Sequence, residues 1–137
     1  MSTMAILLAT DNWSKMSIYQ AFLAREPQAV WRTQRHYTAE YLADIPYPLN
    51  LYFFHKSIAG YRANCTGIFQ RTQADWLSMT PPEFRPDATP YTTFIVIGRL
   101  EKIADTHVSS FPKWDNPEER FERGQLGLLR VRDIFAK

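Results

Sequence analysis

The chain has 137 residues, a formal net charge of +2 and a hydrophobic fraction of 45%. This length fits one hydrophobic core and is short for two ordinary domains, so we predict a single domain over residues 1–137. The weak net charge excludes a strongly cationic surface, and any contact with nucleic acid therefore requires a local basic patch.

The distribution of cysteine and of apolar residues indicates the compartment. A single cysteine, Cys65, excludes an intramolecular disulfide framework, and the first residues do not follow the pattern of a cleaved signal peptide. The longest apolar runs are far shorter than the roughly 20 residues of a membrane-spanning helix. We therefore predict a soluble, cytoplasmic protein with no membrane partner.

The first third of the chain predicts one strand and two helices. Met4 to Ala9 is apolar and is followed by "TDN", residue types that turn the backbone or cap a helix, so a strand and then a helix start are expected. Apolar residues at three- and four-residue spacing predict a helix over Ser14–Arg25, and a shorter helix is predicted over Thr38–Leu42. The segment "AVWRTQRHYTAEYL", Ala29 to Leu42, is accordingly predicted to be mostly a loop between these helices.

The rest of the chain is rich in aromatic and β-branched residues, which favour strands. "LNLYFF" and "IAGYRANCTGIF" are separated by three residues and predict a hairpin. "YTTFIVIGRL" predicts a central strand, "WDNPEERFERG" a surface helix that ends at Gly124, and "LGLLRVRDIF" a closing strand or short helix. This order predicts an α+β domain: a strongly curved, mostly antiparallel sheet, forming a small β-barrel flanked by short helices.

Patterns typical of enzymes and metalloproteins are missing from the sequence. The three histidines stand far apart and one cysteine offers no zinc-ligand spacing. There is no glycine-rich phosphate loop, no nucleophile elbow and no paired His-Glu motif. We therefore predict no metal, no cofactor and no catalytic activity.

The remaining signal is aromatic and basic. Trp31 is followed closely by Arg32, Thr33 and Arg35. Its ring can either cap the core beneath the first helix or line a slot for a planar ligand. Extruding a nucleobase from a duplex costs a few kcal/mol, whereas stacking on one aromatic ring returns roughly 1–3 kcal/mol. A base-binding slot therefore needs a second ring and cations that neutralise the neighbouring phosphates.

The phosphate-binding candidates are four basic residues, and their alternative role is an ordinary solvated surface: Arg32, Arg35, Lys56 and Arg62. Basic and acidic residues are interleaved between Lys113 and Arg123, in and next to the predicted surface helix. This alternation favours pairing within that helix over nucleic-acid binding.

Several segments together resemble two families of the PUA-like superfamily. "VWRT", a short helix and "LNLYFFHKSIAGYRANCTGI" are similar to YTH domains, while "RHYTAEYL" and "YFFHKSIAGYRA" resemble EVE domains. The resemblance spans about Met4 to Ile68 and extends less closely to "TTFIVIGRLEKI". It departs from EVE domains where their "GD" pair is replaced by Pro48, Leu49 and Asn50.

The resemblance implies a PUA-like barrel that flips a modified base into an aromatic cage. The modification is expected to be methylation. YTH domains read methylated adenine in RNA, and EVE-type domains at the N-terminus of McrB-type restriction proteins read modified DNA. The implied partner is DNA or RNA carrying a modified base, and a fused or associated GTPase or nuclease module is also implied. The expected function is that of a specificity module in a modification-dependent restriction system.

The resemblance also assigns base-binding residues. Trp31 matches the first cage tryptophan, and the second wall is expected from the segment before "TTFIVI", where Trp76, Phe84 and Tyr91 are candidates. The residues after the first strand contact the base edge in these families. The residues predicted to bind the base are Trp31, Asp11, Asn12, Thr33, Trp76 and Tyr91, with Phe84 as a further candidate for the second wall. Asp11 and Asn12 can read donors and acceptors on the base, or they can cap the first helix.

Two other function classes remain open at this point. One is a hydrolase of the ASCH branch of the same superfamily, acting on modified nucleosides or RNA through Lys56, Thr33 and Glu40, although these residues have no defining spacing. The other is a protein-interaction module whose exposed aromatic residues meet another subunit.

Overall fold

The structure, a computed structural model, describes residues 2–70, 74–86, 91–122 and 127–136. They form two compact units. The first unit comprises the described residues of Met1–Trp13, Leu49–Ala63 and Glu101–Lys137, and the second comprises those of Ser14–Pro48 and Asn64–Leu100. Each unit is therefore assembled from segments that are distant in the sequence.

The described strands belong to one six-stranded sheet with the hydrogen-bonded order β2-β5-β4-β3-β1-β6. They are β1 (Met4–Ala9), β2 (Ala29–Thr33), β3 (Leu49–His55), β4 (Ile58–Phe69), β5 (Thr93–His107) and β6 (Leu128–Arg132). β1 runs parallel to β3 and antiparallel to β6, and β2 runs antiparallel to β5. The predicted α+β class and mostly antiparallel sheet are confirmed. No pairing of β2 with β6 occurs in the described part of the chain, so the closed barrel stays a prediction.

The first unit is organised around β1. This strand has β3 on one side and β6 on the other, and its residues Met4 to Leu8 are buried. Ala5 and Leu7 pack in a cluster that includes Tyr52 and Phe111, whose ring centroids lie 5.3 Å apart. A strand buried on both faces requires an unbroken apolar run, and "MAILLA" supplies it.

The hairpin between β3 and β4 is confirmed, with a tighter turn than predicted. Only Lys56 and Ser57 separate the two strands, and their φ angles are 49° and 69°. Positive φ at both central residues is the geometry of the type I′ turn, which matches the twist of the flanking strands.

The second unit contains both helices. α1 (Ser14–Leu23) buries Met16, Tyr19 and Phe22, which recur at three-residue spacing. It ends two residues before the predicted boundary at Arg25. The one-turn helix α2 (Ala39–Leu42) begins after Thr38, whose hydroxyl accepts a hydrogen bond from the Tyr41 N–H at 3.1 Å. Such a side-chain cap satisfies a donor that the first helical turn leaves unpaired.

The prediction that Ala29 to Leu42 is mostly loop was wrong for its first five residues, which form β2. Trp31 is paired with Ile95 of β5, and the Val30 N–H donates to the Met79 carbonyl at 2.8 Å. These partners are more than 45 residues away in the sequence. A five-residue strand is stabilised here by long-range pairing that no local pattern reveals.

The predicted surface helix over residues 114–124 was also wrong. The described residues 114–122 contain turns and an isolated bridge between Pro112 and Arg120 but no helix. The Asn116 side-chain amide donates to the Glu119 carboxylate at 2.6 Å, and Phe121 is buried in the core of the first unit. Burial of this one ring outweighs the charge pattern that favoured a helix. Gly124 lies outside the described residues.

None of the described helices has both the length and the apolar composition required to cross a membrane.

Burial of weak acids predicts a loss of stability at alkaline pH. Burial raises the pKa of the Cys65 thiol from 9.0 to about 12. Burial likewise raises the pKa of Tyr19 and of Tyr52. The unfolded chain therefore ionises first as pH rises. The stabilisation is fully present below about pH 9 and is lost progressively towards about pH 12.

Urea denaturation at a series of pH values between about 8 and about 11 tests this prediction. The free energy of unfolding should fall throughout the upper part of this range. Cys65→Ala should remove the earliest part of the fall, which begins near the ordinary thiol pKa. A free energy of unfolding that stays constant across the series would contradict the prediction.

Candidate functional site

A cavity of about 80 Å³ lies within the second unit. A cavity needs roughly 10–15 Å³ of such space to hold one water, so this cavity can admit a group larger than a water molecule. This space suits one small ring system rather than a stack of several. Its lining consists of four aromatic and two basic residues: Lys15, Tyr19, Trp31, Arg32, Phe84 and Tyr91.

Three aromatic rings form a continuous wall. The Tyr19 and Trp31 centroids are 5.0 Å apart at an interplanar angle of 42°, and Tyr19 stacks on Phe84 at 5.6 Å and 19°. The Tyr19 hydroxyl donates to the Val30 carbonyl at 2.7 Å, which fixes the orientation of the ring. Trp31 is 6% exposed. The wall is therefore built before any ligand arrives, because α1, β2 and the short 3₁₀ helix Pro82–Phe84 each hold one ring.

Two cations lie against aromatic rings of the cavity lining. The Lys15 Nζ is 5.5 Å from the Trp31 centroid and 5.9 Å from the Phe84 centroid, while the Arg32 guanidinium lies 4.5 Å from the Tyr91 centroid. The Arg32 guanidinium also donates a hydrogen bond to the Phe84 carbonyl. The lining therefore carries two cations and no carboxylate, a composition that favours an anionic group beside the rings.

The structure brings three of the ten predicted site residues to the cavity. Trp31, Tyr91 and Arg32 line it, and Phe84 supplies the wall for which it was one candidate. Trp31 therefore combines the two interpretations of the sequence, since its side chain is buried and one of its faces borders a void.

Sequence reasoning missed Lys15 and Tyr19. Both lie on α1 four residues apart, a spacing that places two side chains on the same face of a helix. That spacing was available in the sequence. It carried no functional meaning until Trp31 was located opposite this face.

Three predicted residues of the second unit lie elsewhere. Trp76 stacks on Phe94 at 6.3 Å and 10° and packs against the core, so it is not part of the cavity lining. The Thr33 hydroxyl accepts a hydrogen bond from the Arg35 N–H at 3.3 Å, and the Arg35 carbonyl accepts one from the Thr93 hydroxyl at 2.6 Å. Thr33 and Arg35 thus order the chain after β2, and the side chain of Arg35 is exposed.

The other four predicted residues belong to the first unit, and none lines the cavity. Asp11 and Asn12 are exposed, and the Asn12 carbonyl accepts a hydrogen bond from the Thr10 hydroxyl at 2.9 Å. Lys56 is exposed at the turn between β3 and β4. Arg62 forms an ion pair with Glu101 at 2.6 Å, and this carboxylate competes with any phosphate for the guanidinium.

The residues considered for a hydrolase are divided between the units. Lys56 belongs to the first unit, and Thr33 and Glu40 belong to the second. Among the described residues there is no cluster of three or more histidine, cysteine, aspartate or glutamate side chains that could hold a metal ion.

Comparison with known proteins adds no relative. No family model matches the sequence, no curated protein matches it, and no solved structure matches it. The similarity to YTH and EVE domains therefore remains a prediction from short motifs, and the geometry of the cavity is the main basis for assigning a function.

Proposed function

We propose that this protein binds nucleic acid and holds one modified base in the cavity of its second unit. We expect this base to be methylated. The observation that carries the proposal is the composition of the lining, which has four aromatic rings, two cations and no carboxylate. Aromatic faces stack on any nucleobase, and the cations favour the phosphates attached to it. In this proposal the protein is a reader that catalyses no reaction.

The energies are consistent with a flipped base. Removing a base from a duplex costs a few kcal/mol, and each aromatic ring that stacks on it returns roughly 1–3 kcal/mol. Burying one extra methyl group adds about 0.8 kcal/mol, which is roughly a fourfold gain in affinity. A stronger preference for the methylated base requires rigid walls. The hydrogen bond from Tyr19 to Val30 and the pairing of β2 with β5 provide that rigidity.

The sequence motifs support a more specific version of the proposal. In it the fold is a PUA-like barrel related to YTH and EVE domains, and Asp11 or Asn12 reads the base edge. The protein then acts as the specificity module of a modification-dependent restriction system, with a fused or associated GTPase or nuclease.

A protein-interaction module is the second candidate. Phe69 and Leu77 in the second unit are 43% and 51% exposed, and the Phe69 ring lies 5.2 Å from that of Trp76. Exposed apolar residues that lie near one another are typical of surfaces that meet another protein. This observation concerns residues that do not line the cavity, so both roles can coexist.

A binding panel tests the proposed function. Fluorescence anisotropy would compare single-stranded DNA and RNA oligonucleotides that carry N6-methyladenine, 5-methylcytosine, 5-hydroxymethylcytosine or no modification, at two salt concentrations. We expect at least one modified oligonucleotide to bind several-fold more tightly than its unmodified counterpart. We also expect affinity for every oligonucleotide to fall as salt rises, because phosphate contacts release counterions.

Two outcomes would count against the reader. If modified and unmodified oligonucleotides bound with equal affinity, both among the DNA probes and among the RNA probes, the cavity would not recognise a modification. No binding to any oligonucleotide, combined with a protein complex that survives high salt, would favour the interaction module.

A further inference from the structure

Lys15 occupies an unusual position for a lysine. It lies in the first turn of α1, where the helix dipole disfavours a cation, and this turn contains no acidic residue. No described carboxylate lies within ion-pair distance of its ammonium. Instead the ammonium faces the rings of Trp31 and Phe84. Local helix energetics therefore do not explain this residue, whereas a role at the cavity does.

The two cations of the cavity are held differently. Arg32 is fixed by the Phe84 carbonyl and by the face of Tyr91. Lys15 is held against Trp31 and Phe84 by cation–π attraction, through a flexible four-carbon stem. A ligand that stacks on Trp31 must therefore move the Lys15 ammonium, while Arg32 can remain in place.

We propose that Lys15 makes the cavity selective for a planar ring that carries a phosphate, which is a nucleotide, over a neutral base or a cationic ligand. In the absence of ligand its ammonium covers the aromatic wall. When the base enters, the ammonium leaves the rings and pairs with the phosphate of the same nucleotide. This inference rests on the proposed function, since it specifies the ligand class of the same cavity.

The charge of the lining argues against a cationic ligand. Aromatic cages bind methylated ammonium groups when the cage itself provides no cation. Here Lys15 already faces two of the rings and Arg32 lies against a third. No carboxylate in the lining neutralises these two positive charges. A neutral base would have to displace Lys15 without offering it a new partner. A nucleotide offers the phosphate, and a charge-assisted contact replaces the cation–π contact.

Titration of three small probes tests the inference. Wild-type protein and Lys15→Met would be titrated with adenosine 5′-monophosphate, adenosine and tetramethylammonium, with NMR shifts of the indole N–H groups as readout. Methionine keeps an unbranched apolar side chain up to the Cε position and lacks the ammonium group with its charge and N–H donors. For the wild type we expect the monophosphate to bind about tenfold more tightly than adenosine at low salt, and tetramethylammonium to bind least.

In Lys15→Met we expect the preference for the monophosphate to fall to about threefold or less, because only Arg32 remains. Adenosine should bind this variant at least as tightly as it binds the wild type, because no ammonium has to be displaced. Lys102→Met is the matched control and should leave all three affinities unchanged. Lys102 is an exposed lysine of the first unit whose ammonium lies 5.5 Å from the Tyr61 centroid, and it does not line the cavity.

Four results would overturn the inference. They are an undiminished preference for the monophosphate in Lys15→Met, equal binding of adenosine and its monophosphate to the wild type, tighter binding of tetramethylammonium than of the monophosphate, and no binding of any probe. The proposed function fails separately. If the oligonucleotide panel shows no preference for a modified base while the monophosphate preference depends on Lys15, then the cavity binds nucleotides but does not read modifications.

Discussion

Replacing Trp31 with alanine is expected to lower affinity for the preferred modified oligonucleotide roughly 5- to 150-fold, which is the loss of about 1–3 kcal/mol of stacking on one ring. Residual binding should be non-specific, because Arg32 and the exposed basic residues still attract phosphate. The modified and unmodified oligonucleotides should then bind with nearly equal affinity. Fluorescence anisotropy on the panel described above measures both changes.

The same substitution also affects stability, because Trp31 is 6% exposed and contacts Tyr19. Truncation of a buried aromatic residue typically costs about 3–5 kcal/mol, a large part of the 5–15 kcal/mol that stabilises a typical domain. Trp31→Phe therefore accompanies the alanine variant. It keeps an aromatic ring in the wall, so it should remain folded and lose affinity to a smaller extent.

Trp114→Ala is the matched control, because Trp114 is a half-buried tryptophan of the first unit that does not line the cavity. It should retain the preference for the modified oligonucleotide. Circular dichroism would confirm the fold of each variant. If folded Trp31 variants retained the full preference, the ring would serve only as core and the cavity would lose its proposed role.

Replacing Phe111 with alanine is expected to produce a large loss of stability. Phe111 is 0% exposed, and its ring lies 5.3 Å from that of Tyr52 and 6.1 Å from that of Phe135. Removing such a ring costs about 3–5 kcal/mol through lost burial and the remaining void. For a chain of this length the melting temperature should fall by roughly 10 °C or more. Differential scanning calorimetry measures the change.

Phe135→Ala provides the comparison for Phe111, since Phe135 packs against the same cluster but is only partly buried. The melting temperature of Phe135→Ala should fall by roughly half as much as that of Phe111→Ala, or less. Similar losses for the two variants would show that exposure in the folded state does not determine the cost at this site. An unchanged melting temperature for Phe111→Ala would contradict the assigned core.

Local patterns were sufficient for most of the regular elements. The apolar run of β1, the two aromatic segments of the β3–β4 hairpin and the Thr38 cap of α2 each carry their signal within about ten residues. The observed bounds of β1 and β4 are those of the quoted apolar segments, Met4–Ala9 and Ile58–Phe69. In these segments burial pattern and residue type favour the same structure, so tertiary contacts had nothing to override.

The errors arose where distant contacts outweigh local preference. β2 is a strand because β5 and Met79 satisfy its backbone hydrogen bonds, and residues 114–122 are irregular because Phe121 enters the core. Distant contacts also explain why the second wall of the cavity was not predicted. Tyr19 comes from a helix and Phe84 from a short 3₁₀ turn 65 residues later, and no sequence spacing relates them. Trp31 could be singled out from the sequence because Arg32 and Arg35 follow it closely and because its segment resembles that of the first cage tryptophan in YTH domains.

The position of β1 between β3 and β6 has a consequence for synthesis on the ribosome. β1 ends at Ala9 and its partner β6 begins only at Leu128, so more than 100 residues are translated between them. Until then one edge of a nearly continuous apolar strand has no partner, and such edges recruit other chains. A nascent or truncated chain that stops before Leu128 should therefore self-associate. Chaperones that bind exposed apolar segments would bind it at this strand.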